Sequence, residues 1–236
     1  MISDLLQILA QLLAAVVVIT FHEFAHAFVA YKCGDPTAKF QGRMSLNPVK
    51  HFDPIGMLLF AVAGFGWAKP VPINPNNFDN YKKGCFWTSI AGIFMNYVMC
   101  FVFYPLFVLV FVYVCPIFAG KYMASFLFSL FYALFFFSLS FCVFNLLPFY
   151  PLDGFRVLDA TLKRKGKVFW FLYRYGNMLL LGLVALHFIT QRIAVLGFID
   201  ILGYILLVAR KVFGRPVVWF WNWILGLFGV HSPFII

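Results

Sequence analysis

Apolar residues run in long stretches along this chain, separated by short polar segments. About 20 mostly apolar residues are needed to cross the hydrocarbon of a bilayer. Residues 5–31, 86–115 and 122–147 meet that length. Residues 176–190 and 193–209 are shorter and are joined by a polar turn at Gln191-Arg192. The last run, 217–230, carries Trp219, Trp221 and Trp223, a residue type that gathers at membrane–water interfaces. Counted together these give about six transmembrane helices, an all-α polytopic fold.

The connection after the first helix reads differently. Residues 57–67 are apolar but too short to cross, and Pro54, Gly64, Gly66 and Pro70 bound them. They are expected to form a re-entrant segment covered by protein. Residues 38–48 are mixed and flanked by Gly and Pro, which predicts a small β-hairpin.

The basic residues support six crossings with the N-terminus outside. Seven Lys and Arg fall in residues 32–83, six in 156–174 and three in 210–215, leaving Lys121 and Arg192 on the other face. Sixteen inside against two outside follows the positive-inside rule. The first run lacks a basic start and an A-x-A-like site, so it reads as a resident helix and not a cleaved signal.

Composition excludes the alternatives. Of 236 residues, 64% are hydrophobic and 11% charged, which no soluble domain of this size could hide from water. The formal charge of +10 sits between apolar runs, so it reads as topology and contact with anionic headgroups, with no nucleic acid as partner. Cys33, Cys85, Cys100, Cys115 and Cys142 contain no CxxC pair, arguing against a disulfide framework or a cysteine-ligated metal.

Within the first apolar run lies His22-Glu23-Phe24-Ala25-His26, an H-E-x-x-H motif. Residues i and i+4 of a helix share a face, so both imidazoles can bind one metal ion. Glu23 is the only glutamate in the chain, and it projects about 100° round from His22, where it can address a metal-bound water. Ionisable residues in hydrocarbon are costly, and three together call for a function.

A catalytic zinc takes three protein ligands and keeps a position open. His51, Asp53, Asp153 and Asp159 are the candidates for the third, since Asp4, Asp79 and Asp200 fall in loops or at far ends. Asp153 has the best context: Pro148 and Pro151 break the preceding helix, and two crossings return the chain to the side of His22 and His26. The alternative reading of Asp153 is a cap for a helix beginning at Phe155. His51 is either a residue near the metal or an ordinary loop histidine.

H-E-F-A-H in a first membrane helix, and Asn145-Leu146-Leu147-Pro148-Phe149-Tyr150-Pro151-Leu152-Asp153-Gly154 after a later one, resemble the two motifs of site-2 protease intramembrane metalloproteases (peptidase M50). The resemblance extends through residues 47–56 and 66–75, which look like the connecting segments of short bacterial-type members. It covers residues 21–159 and implies one zinc ion per chain held by His22, His26 and Asp153, with Glu23 as general base. It also implies that Asn145 binds the substrate backbone or the oxyanion. Ala91-Gly92-Ile93-Phe94-Met95-Asn96 resembles the family's A-G-P-x-x-N segment with Ile93 in place of proline, and Asn96 is expected to line the substrate site or to serve as a polar packing residue.

These implications describe a single membrane-embedded domain. Residues 1–160 form the catalytic core and 161–236 add C-terminal membrane helices, with no room in residues 32–84 for a PDZ or CBS domain. The expected activity is zinc endopeptidase cleavage of a single-span membrane protein within the bilayer, at the cytoplasmic (inner) membrane, with the site in the cytosolic half. A membrane metal transporter and a catalytically inactive scaffold are the alternatives. Survival of activity without Glu23 would distinguish the first, and absence of tight metal the second.

Overall fold

Small residues line one side of the first helix, and they set how the bundle packs. The computed structural model describes residues 2–63, 66–118 and 120–232, without the side chains of residues 62, 63 and 194. Helix α1 (Ile2–Lys32) buries Ala10, Ala14, Ala15, Val18, Ala25, Ala27 and Ala30. A stripe of that kind lets neighbouring helix backbones approach closely.

Two helices use it. α4 (Tyr81–Leu109) and α5 (Tyr122–Asn145) pack against α1 and against each other. Ala14 and Val18 meet Met99, Ala133 and Leu134 in one core. α4 runs on through a π-helical stretch, Val110–Val114, and a 3-10 turn, Cys115–Phe118. Ile93, standing where a proline was expected, leaves α4 unbroken, and the helix carries its proline at Pro105 instead.

Between α1 and α4 the chain forms α2 (Thr37–Phe40), a 3-10 turn (Pro48–Lys50), α3 (Pro54–Ala63) and a second 3-10 turn (Pro75–Asn77). The expected β-hairpin over residues 38–48 is absent, and no strand occurs among the described residues. The reason is local. Gly42 takes φ +65° and ends α2: its N–H reaches Lys39 O at 3.0 Å, and Arg43 N–H reaches Ala38 O at 2.8 Å. That pair of bonds is a helix-ending motif which needs glycine, not a hairpin turn.

The apolar segment 57–67 leaves as α3 and comes back, since Lys69 N–H donates to His51 O at 3.1 Å. Its bounding residue Gly64, with Phe65, lies outside the described residues. The return segment is anchored by Asp35, which is fully buried. Asp35 accepts from Asn74 N–H (2.7 Å), Asn77 Nδ2 (2.8 Å), Thr37 N–H (3.1 Å) and the Thr37 hydroxyl.

After α5, Pro148, Pro151 and a cis Tyr150–Pro151 bond carry the chain to α6 (Asp153–Thr161), which packs on α4. α7 (Lys167–Arg192) follows and stacks Phe169 on Phe155 at 4.9 Å. His187 Nδ1 meets Asp200 at 2.8 Å, and Asp200 accepts from Gly203 N–H to cap α8 (Ile201–Leu227).

The helix count departs from six. Four helical segments among the described residues are long and apolar enough to cross a membrane: α1, Tyr81–Phe118, α5 and α7. The short run at 176–190 is part of the longer α7. The two runs expected at 193–209 and 217–230 form one helix, α8, through Pro216. Every 18-residue stretch of α8 contains Arg210, Lys211 and Arg215, so it lacks the charge-poor length of a simple span. Packing overrides the proline: Val217, Val218 and Leu225 join Tyr104, Phe107, Phe135 and Leu139 in a core along α4 and α5. Arg210 lies 5.1 Å from the Phe136 ring centroid, a cation–π contact.

Candidate metal centre

The H-E-x-x-H spacing does in three dimensions what helical periodicity requires. His22 and His26, one turn apart on α1, both turn inward, and their Nε2 atoms are 3.0 Å apart. Asp153, the first residue of α6, brings Oδ2 to 3.0 Å from His26 Nε2 and 3.2 Å from His22 Nε2. All three residues are buried. Asp153 contributes no capping bond to α6, whose N-cap is Leu152, so its carboxylate is committed to the histidines.

The donor set fits zinc. Ligands about 2.0–2.1 Å from one tetrahedral ion stand roughly 3.3–3.4 Å apart, close to the triangle found here. Two nitrogens and one carboxylate oxygen are a common catalytic zinc set. Lone pairs converging at this spacing repel unless a metal ion or a shared proton lies among them. The second histidine nitrogens also fit, for His26 Nδ1 is 2.7 Å from Thr88 O. A carbonyl there can only accept, so Nδ1 carries the hydrogen and Nε2 is left with its lone pair for a metal.

α4 supplies the wall behind the histidines. A Cβ added at Gly92 would lie 2.4 Å from His26 Nε2 and 2.5 Å from His22 Cε1. Only glycine allows α4 to come so close to the ligand atoms. Thr88, Gly92 and Asn96 follow one another at four-residue intervals, so one face of α4 meets both rings.

Glu23, one residue on from His22, is not one of the three converging donors. Its Oε2 accepts from Val71 N–H at 2.8 Å. Arg43, also buried, holds that segment by donating from Nη2 to Lys69 O (2.7 Å) and Pro70 O (3.1 Å).

The other candidates separate. Asn145, at the end of α5, donates from Nδ2 to Phe141 O in its own helix at 3.1 Å. Asn96 is fully buried with its amide 3.0 Å from His22 Nδ1. His51 is buried with Nε2 2.8 Å from Ser45 O, in the connecting segment. Asp53 accepts from Gly56 N–H at 2.9 Å at the start of α3, and Asp159 pairs with Lys165. Those contacts leave Asp153 as the carboxylate that meets the histidines. Sequence reasoning gave no role to Thr88, Gly92, Arg43 or Val71. A stripe of small and polar residues every four positions in an apolar helix was the available signal for the first two.

Parts of the chain are similar to known proteins. The family model for Peptidase family M50 matches residues 111–183, the stretch that holds Asn145 and Asp153. A curated relative, the "Putative zinc metalloprotease YwhC" of Bacillus subtilis (strain 168), is 44% identical over 144 residues. That match covers 61% of this chain and 65% of the relative, just under two thirds of its length. No solved structure matches the chain. The chain is therefore similar to Peptidase family M50 across the Asp153 turn, and to a relative named as a zinc metalloprotease over 61% of its own length.

Proposed function

We propose that this protein is an intramembrane zinc endopeptidase of the site-2 type, which hydrolyses a peptide bond within or beside the transmembrane segment of a single-span membrane protein. The observation that carries the reading is the convergence of His22 and His26, on a helix long enough to cross a membrane, with Asp153 of α6. The name of the Bacillus subtilis relative, "Putative zinc metalloprotease YwhC", supports the reaction class.

His22, His26 and Asp153 would hold one zinc ion. Zinc bound at such a site polarises the scissile carbonyl and lowers the pKa of a water to about 7. The chain's own residues do the rest. Glu23, held by Val71 N–H, takes a proton from the attacking water as its oxygen bonds to the carbonyl carbon. The C–N bond then breaks, and Glu23 returns the proton to the leaving amine nitrogen. Asn145 is the candidate donor to the developing oxyanion, a contact that can be worth about 3–4 kcal/mol. Its amide exchanges the Phe141 carbonyl for the substrate.

The site belongs in the cytosolic half of a cytoplasmic membrane. His26 lies six residues before Lys32, about 9 Å along the helix, and the basic residues of the connection anchor that end. The substrate helix must unwind locally, because an intact helix hides its carbonyls from attack.

Zinc content of the detergent-purified protein tests the reading, beside Asp153→Ala, together with membrane-protein fragments in cells carrying wild type or Glu23→Gln. The expected result is about one zinc per folded wild-type chain, weak retention by folded Asp153→Ala, and fragments that require Glu23. Wild type that stays metal-free after reconstitution with zinc would sink the protease reading.

A further inference from the structure

We propose that Asn96 is a positioning residue for the metal centre, whose side-chain carbonyl accepts the Nδ1–H of His22 and so fixes the tautomer and tilt of that ligand. The inference rests on the metal reading above and deepens it by assigning Asn96 to the protein's own histidine, not to the substrate.

The argument starts from His26. Its Nδ1 faces the Thr88 carbonyl at 2.7 Å, so its hydrogen sits on Nδ1 and the Nε2 lone pair is free. His22 must solve the same problem, because its Nε2 converges with His26 Nε2 and Asp153 Oδ2. A neutral imidazole has one N–H, and a ligand that gives its Nε2 lone pair must carry that hydrogen on Nδ1. The group facing His22 Nδ1 therefore has to be an acceptor.

That group is the Asn96 amide, whose Nδ2 lies 3.0 Å from His22 Nδ1. Asn96 is fully buried, and its Oδ1 has no hydrogen-bond partner. The two amide orientations have the same shape, and they exchange by a half-turn about the Cβ–Cγ bond. Turned over, Oδ1 accepts the Nδ1–H of His22, and Nδ2 takes the position that Oδ1 leaves.

The arrangement is then the same for both ligands. Thr88 and Asn96 stand eight residues apart on one face of α4, with Gly92 between them against the two rings. One helix would hold His26 with a main-chain carbonyl and His22 with a side-chain carbonyl. No other polar atom is recorded at His22 Nδ1 among the described residues.

Asn96→Asp and Asn96→Leu separate this role from packing, since Asp keeps only acceptors at the amide position and Leu keeps only bulk. The readout is zinc dissociation measured against a chelator in detergent-solubilised protein, with folding checked by helical content. Wild type should bind tightly, Asn96→Asp should stay within a few-fold of it, and Asn96→Leu should lose about 10–100-fold. Should Leu fail to fold, Asn96→Ala takes its place with the same expected loss. Leu or Ala at wild-type affinity, or Asp as weak as Leu, would overturn the assignment. Wild type without tight zinc would overturn the metal reading itself, and the assignment with it.

Discussion

The backbone N–H of Val71 donates to Oε2 of Glu23 across 2.8 Å, so a loop 48 residues further along the chain holds the side chain of the proposed base. A carboxylate that swings freely spends little time aimed at a reacting water. Arg43 steadies the loop through Lys69 O and Pro70 O. Arg43→Ala should therefore lower the cleavage rate about 10–100-fold, the scale of a small misplacement at an active site, and leave zinc affinity unchanged. Arg43→Lys should recover part of the rate. Parallel rate and zinc measurements check this, and a normal rate in folded Arg43→Ala would remove the loop from the reaction.

Glu23→Gln should keep the metal and lose the chemistry. A Gln carbonyl can still accept from Val71 N–H, and none of the three converging ligand atoms comes from residue 23. What disappears is the ability to take a proton, worth roughly 10²–10⁴-fold for a general base. Zinc retention at the wild-type level with cleavage reduced by that factor is the expected pair of results. Cleavage at the normal rate would require a different base.

Much of the centre was legible because its chemistry is improbable in hydrocarbon. Two histidines and the chain's only glutamate inside an apolar run identify themselves, and the Pro-broken turn before Asp153 marks where the converging carboxylate enters. Gly92 was hidden because a glycine in a membrane helix has many uses, and its own depends on two rings contributed from 66 and 70 residues away. Asp35 was hidden for a similar reason: its partners Asn74 and Asn77 are near it only in the fold. The C-terminal helices misled in the opposite direction. Arg210, Lys211, Arg215 and Pro216 look like a break, but packing of Val217, Val218 and Leu225 on α4 and α5 carries one helix through them. The hairpin was lost to Gly42, since a glycine after a few polar residues serves a helix end as well as a turn.

Gly92→Ala tests the close approach of α4 to the ligands. The added methyl would fall 2.4 Å from His26 Nε2, well inside contact distance. Either α4 moves away or the imidazole turns, and both separate the three ligand atoms. Zinc affinity should fall at least about tenfold, on the scale of losses from disturbing the ligands' supporting shell. A chelator competition on folded protein measures it. Wild-type affinity would mean that the helices part without disturbing the histidines.

Asp35 sets the acid limit of the connecting segment. Burial alone would raise its carboxyl, but hydrogen bonds from Thr37, Asn77 and Asn74 outweigh that and hold its pKa below the ordinary value. A carboxyl with a depressed folded pKa contributes stability that is fully present above its unfolded pKa, near 3.8. That contribution is lost as the pH falls through the folded value. Asp35→Ala should cost about 1 kcal/mol at neutral pH, because it removes the fully buried carboxylate that accepts from the N–H groups of Thr37 and Asn74. The thermal midpoint in detergent should therefore drop for Asp35→Ala at pH 7, and the gap to wild type should narrow as the pH is lowered below 4. A gap that held constant into that acid range would show that the carboxylate charge contributes nothing, and that the cavity left by the side chain accounts for the loss.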